Sequence, residues 1–204
     1  MTPARAAILL AAVLTTTGAR ASAPAGSAGA TAGDSVGTGE CFLLYETGVG
    51  EIRRAPSEVC RTRVTPASTF KIPHALAALD SGVVSGPDET FKYDGSPMPI
   101  ESWKRDHTLA SAIRHSVVWY FQRVATKLGL AREREYLHKF EYGNEDPDDS
   151  LTSFWLGGSL VISPEEQERF LLRLYQDALP VSRKAVREVR EMLRQRSLHE
   201  EYVL

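Results

Sequence analysis

Ser68-Thr69-Phe70-Lys71 follows a Thr65-Pro66-Ala67 turn and opens an apolar run with helical spacing. A serine and a lysine three residues apart at a helix start share one face, so the amine can take the proton off the hydroxyl. The chemistry is nucleophilic: Ser68 attacks and Lys71 is its base. The same four-residue pattern arises by chance in many proteins, and Lys71 alone reads as a solvated surface lysine. Metal chemistry finds no comparable signal. The histidines at 74, 107, 115, 138 and 199 are scattered without metal-ligand spacing, so no zinc site is expected, and His74 and His115 read as ordinary helix residues.

The elements that must carry this pair follow from periodicity. Cys41 to Glu46 and Glu51 to Arg54, separated by Thr47-Gly48-Val49-Gly50, predict a β-hairpin. Apolar residues from Ser68 to Leu79 predict a helix that Gly82 stops, with Ser68 at its N-terminus and Pro73 tolerated near the first turn. Residues 85–107 read as an irregular loop, with Trp103 and Asp106 packing and capping before the next helix. Helical spacing resumes at Thr108, breaks near Ser116 and runs to Gly129, and Ala131 to Phe140 makes a shorter charged helix. Ser163-Pro164-Glu165-Glu166 is a capping box that opens a helix to about Ala178, and a last helix follows Ser182. Glu201 to Leu204 reads as the start of a third strand.

Composition sets the frame. The 204 residues are 43% hydrophobic and 25% charged, as in a globular protein, and 24 Lys and Arg against 26 Asp and Glu give a net charge of −2. Mixed signs and no basic block give no reason to expect a nucleic-acid partner. Residues 1–23 read as a secretory leader, with Arg5, an apolar run from Ala6 to Leu14 and a small-x-small site at Ala19-Arg20-Ala21. That run falls short of the about 20 residues a bilayer requires, so no membrane anchor is expected after cleavage. Residues 24–39 read as a flexible lead-in, and export points to the periplasm or the outside of the cell. In that compartment a disulfide between Cys41 and Cys60 is feasible; two buried thiols are the alternative.

Three further groups follow the first in order: Ser116-Val117-Val118, Tyr142-Gly143-Asn144, and Trp155 within Phe154-Trp155-Leu156-Gly157-Gly158-Ser159-Leu160. Singly, Ser116 reads as a helix cap, Trp155 as core and Tyr142-Gly143-Asn144 as a turn. Together, from about Glu40 onward, the chain resembles the class D serine beta-lactamases, the oxacillin-hydrolysing branch of the penicillin-recognising enzymes. The resemblance implies an α+β fold, a helical cluster against an antiparallel sheet, with residues 40–204 as its penicillin-binding, transpeptidase-like domain. It implies hydrolysis of a small-molecule beta-lactam, and hence antibiotic resistance, through an acyl-enzyme on Ser68. Lys71 would be the base, N-carboxylated by carbon dioxide from bicarbonate, with the Trp155 indole bonding the carbamate and no metal. Phe70, Val118 and Trp155 would desolvate the amine and lower its pKa, leaving the neutral nitrogen that carbamate formation requires. Ser116 would pass a proton to the leaving nitrogen, Val118 would wall the pocket, and Tyr142 and Asn144 would border it.

The family's Lys-Thr-Gly motif does not occur in residues 1–204. The resemblance places it just past Leu204, so the chain reads as incomplete, lacking most of its sheet. Its helices would then expose apolar faces, and the 204 residues by themselves are expected to be inactive or poorly soluble. Competing readings are a covalent beta-lactam sensor that acylates without turnover, an inert fragment, and a peptidoglycan transpeptidase.

Overall fold

The computed structural model describes residues 41–46, 49–55, 58–147 and 150–194. The expected leader, the lead-in to residue 39 and the expected strand at Glu201–Leu204 lie outside the described residues. The chain divides into two compact units, one ending at Thr62 and the other starting at Arg63.

The first unit is the expected hairpin. Strand β1 (Phe42–Glu46) pairs antiparallel with β2 (Gly50–Ala55), Phe42 opposite Ala55 and Glu46 opposite Gly50, with a bulge between Leu44 and Tyr45. Gly50 turns the chain at φ +114°, a conformation L side chains avoid. A lone hairpin is marginal in water, and here it is stapled. Cys41 and Cys60 form a disulfide with Cα atoms 5.2 Å apart and pack with Leu43 and Val59 into a small core. A bridge over a loop of this length contributes about 3 kcal/mol. The choice between a bridge and two thiols falls to the bridge.

The second unit is helical. Its elements are α1 (Lys71–Asp80), α2 (Leu109–Arg114), α3 (Val118–Leu128), α4 (Leu130–Phe140), α5 (Pro164–Tyr175) and α6 (Arg183–Leu193). Helix α1 packs against α2, α3, α4 and α6. Neighbours on so many sides explain why its sequence is apolar nearly all round, with Lys71 and Pro73 to Ala78 all buried. The expected capping box at Ser163 and Glu166 is present, with Pro164 at the first helical position. Thr108 caps α2 with an unforeseen second box through Ser111.

Three expectations are corrected. Ser68 lies in a 3-10 turn, Ala67–Phe70, and α1 starts only at Lys71. The loop over 85–107 contains β3 (Thr90–Phe91), which pairs with β4 (His107–Thr108), and a 3-10 turn at Glu101–Trp103. Two-residue strands carry no readable alternation, which is why the pattern hid them. Asp106 does not cap a helix; it accepts from Lys92 and from the Tyr93 amide. As for apolar faces, the exposed large hydrophobic residues among those described are Val49, Ile100 and Leu156.

Candidate active site

Lys71 Nζ lies 2.8 Å from Ser68 Oγ. The two side chains meet because the 3-10 turn runs directly into α1, which keeps positions three apart on one face. Their environments differ sharply: Ser68 is exposed, whereas Lys71 is 3% exposed. Burial pushes the amine down from 10.5 to about 8, because a charged ammonium loses its water there. About a tenth of Lys71 is therefore neutral at pH 7, against well under a thousandth for a free lysine. The Ser68 amide donates to no acceptor among the described residues and stands free beside the hydroxyl.

The turn is held from outside. Ala67 has φ +47°, costly for a residue with a Cβ, and its amide donates to the Trp155 carbonyl at 3.0 Å. That bond ties the segment carrying Trp155 to the residue before the nucleophile. Trp155 is fully buried, 5.7 Å from the Phe70 ring, and its Nε1–H has no hydrogen-bond partner. An indole can only donate, so a buried indole without an acceptor marks a place where one belongs. On α3, Phe121 brings its ring to 6.0 Å from Lys71 Nζ. Ser116 and Val118 sit at the head of that same helix, both partly exposed. Ser116 does not cap it. The N-cap is Val117, without a side-chain bond, and Ser116 is held at φ +53°, its hydroxyl free of hydrogen bonds among the described residues. The Trp103 indole fixes the preceding residue by donating to the His115 carbonyl at 2.9 Å.

Tyr142 and Asn144, expected to border the pocket, have their polar atoms committed within the protein. Tyr142 is fully buried, its hydroxyl donates to Gln167 Oε1 at 2.8 Å, and desolvation raises its pKa. Asn144 Nδ2 donates to the Ser159 carbonyl at 2.8 Å, and its Oδ1 accepts from the Val161 amide at 3.0 Å. Between them Gly143 has φ +62° and sits so close that a Cβ there would lie 2.1 Å from the Val161 carbonyl oxygen. The turn thus clamps residues 159–161, and Ile162 next to them bridges to Val64 just ahead of the nucleophile turn.

Sequence reasoning missed one pair. His74 Nε2 lies 2.6 Å from Glu133 Oε1, with both side chains buried. The His74 ring meets Phe70 at 4.7 Å, Trp155 at 5.0 Å and Phe121 at 5.8 Å. A signal existed: Glu133, Tyr136, Leu137 and Phe140 share the i, i+3, i+4, i+7 stripe that α4 buries, so a carboxylate stands in an apolar row. No group of three or more His, Cys, Asp or Glu side chains among the described residues could hold a metal ion.

Comparison with known proteins agrees with this geometry. The penicillin binding protein transpeptidase domain family matches residues 18–200. Beta-lactamase OXA-48 of Klebsiella pneumoniae is 47% identical over 128 residues, 63% of this chain and 48% of that protein. Probable beta-lactamase YbxI of Bacillus subtilis is 43% identical over 131 residues, 64% of this chain and 49% of that one. The chain spans about half the length of the curated relatives it matches. Among solved structures, class D beta-lactamase BAT-2 superposes with a TM-score of 0.75 at 38% identity, over 77% of this chain and 66% of that one. The chain belongs to the penicillin-binding transpeptidase-domain family and, within it, to the class D serine beta-lactamases.

Proposed function

We propose that this protein hydrolyses the beta-lactam ring of penicillin-type antibiotics through an acyl-enzyme on Ser68, and so confers resistance to them. The observation that carries the reading is the 2.8 Å approach of an exposed serine hydroxyl to a buried lysine amine. Lys71 is the base that takes the Ser68 proton as the oxygen attacks the lactam carbonyl. The free Ser68 amide donates to the oxyanion that develops there. Ser116, held in its left-handed conformation, gives its proton to the lactam nitrogen as the ring opens and is reprotonated with the proton that Lys71 took from Ser68.

Lys71 carries carbon dioxide as a carbamate in this reading. The unpartnered Trp155 Nε1–H fits that group, since it supplies a donor with no other acceptor in reach. When bound, the carbamate would supply a base that is unprotonated at pH 7, where the amine is largely protonated. The Cys41–Cys60 bridge supports export to an oxidising compartment, periplasmic or extracellular, after a leader is removed.

The test is intact-mass spectrometry of the full chain after brief exposure to a penicillin. A single adduct should form, vanish with time, vanish faster with bicarbonate, and never form in Ser68→Ala. Failure of the unaltered protein, with the Lys-Thr-Gly strand in place, to acylate overturns the proposal, and an adduct that persists replaces hydrolysis with a sensing role.

A further inference from the structure

Two neighbouring buried rings, with centroids 5.0 Å apart, each carry a nitrogen without a partner: Trp155 Nε1 and His74 Nδ1. A buried polar atom left bare typically costs about 1 to 3 kcal/mol. The indole has an assigned acceptor under the carbamate reading; the imidazole does not. His74 sits one helical turn beyond Lys71 on the same face of α1. The two residues share Phe121, which stacks on the imidazole and lies 6.0 Å from the amine. The far side of the ring is fixed by Glu133.

We propose that the His74–Glu133 pair is the internal acceptor of the proton that Lys71 releases when it takes up carbon dioxide. The inference rests on the carbamate reading of Lys71. Forming the bond between Nζ and the carbon of carbon dioxide leaves one negative charge on the two oxygens and expels one N–H proton. His74 Nδ1 receives that proton, and the Glu133 carboxylate, bonded to Nε2, balances the imidazolium. The net charge of the buried cluster is the same before and after. Without the acceptor, the cluster gains a negative charge in a low-dielectric site, which is strongly disfavoured. The pair also accounts for its own presence. A buried histidine–carboxylate pair is no better for stability than an apolar pair of the same volume. The other groups facing the imidazole leave it this role. Lys71 lies on its own helix, and Tyr136 of α4 has its hydroxyl on Asp80. Phe121, Phe154 and Trp155 carry no charge, and Tyr142 beyond Phe70 is bonded to Gln167.

The experiment is a titration of the full chain with 13C-bicarbonate, reading the carbamate carbon by NMR at several pH values. Two variants are compared: His74→Gln, which keeps a hydrogen-bonding side chain, and the double variant His74→Leu/Glu133→Met, whose apolar pair preserves folding. Carbon dioxide affinity at pH 7 should fall at least about fivefold in both, within the range of linked sites. The logarithm of the binding constant should also climb with pH more steeply by one proton per carbamate, because the variants release to solvent a proton the unaltered chain retains. Packing damage alone lowers affinity without adding that proton. Equal slopes overturn the role of the pair. No carbamate signal in the unaltered chain at saturating bicarbonate overturns the carbamate reading itself, and the two failures are told apart by that one control.

Discussion

Lys71 shows what burial does to a single functional group. Its side chain is buried, and its nitrogen lies 2.8 Å from the Ser68 hydroxyl. An amine brought down to about 8 ties the Ser68 proton transfer to pH. The acylation rate, read by intact mass or by a chromogenic cephalosporin in bicarbonate-free buffer, should rise about tenfold per unit between pH 6 and pH 8 and then level. A rate flat from pH 6 to 10 would show that the amine is not the base. The exposed serine next to it needs no such tuning. Its approach to the amine was legible in the sequence, because the i, i+3 spacing holds whether the turn is α or 3-10. The detail that Ser68 precedes α1 was not, since 3-10 and α turns share composition.

At the scale of elements, the segments that hold the pair are coupled by backbone, and here the sequence was less readable. Helices α3 to α6 declared themselves through periodicity and caps. The clamp of Tyr142-Gly143-Asn144 on residues 159–161 did not, because a tyrosine–glycine–asparagine triplet looks the same bordering a pocket or gripping a neighbouring irregular segment. The His74–Glu133 pair spans 59 positions, and only the misplaced charge on the α4 stripe hinted at it. Gly143 is where the clamp can be broken. Alanine there would need φ +62° and a Cβ 2.1 Å from a backbone oxygen, so the turn must open. Gly143→Ala should cost more than about 2 kcal/mol in a denaturant melt, as steric overpacking does, and should slow Ser68 acylation with it. A variant as stable and as reactive as the unaltered chain would mean the clamp positions nothing.

Across the whole molecule, the perturbed groups give stability a definite dependence on pH. The Arg63 guanidinium, in a forked bond at 2.5 to 3.1 Å, holds Glu166 down at about 2 from 4.5, aided by the Ser163 amide and hydroxyl. A carboxylate depressed in the fold contributes stability that is complete above 4.5 and is lost as pH falls toward 2. Lys71, also depressed, has the same sign in another window: the unfolded chain binds more protons between about 8 and 10.5, so stability climbs across it. Tyr120, Tyr136 and Tyr142 oppose it from above, chiefly through desolvation, since their hydroxyls resist ionising in the fold and ionise freely near 10 once unfolded. The melting temperature in bicarbonate-free buffer should therefore rise from pH 2 to 5, rise again above pH 8, and fall beyond about pH 10.5. Lys71→Met isolates the second rise, because the variant keeps every tyrosine and carboxylate. It should melt higher than the unaltered chain at pH 7, by about 3 kcal/mol if the whole desolvation cost is recovered, and the gap should close as pH approaches 10.5. A gap that stays constant with pH would show that the amine is charged in the folded protein, and the neutral base on which Ser68 depends would be gone.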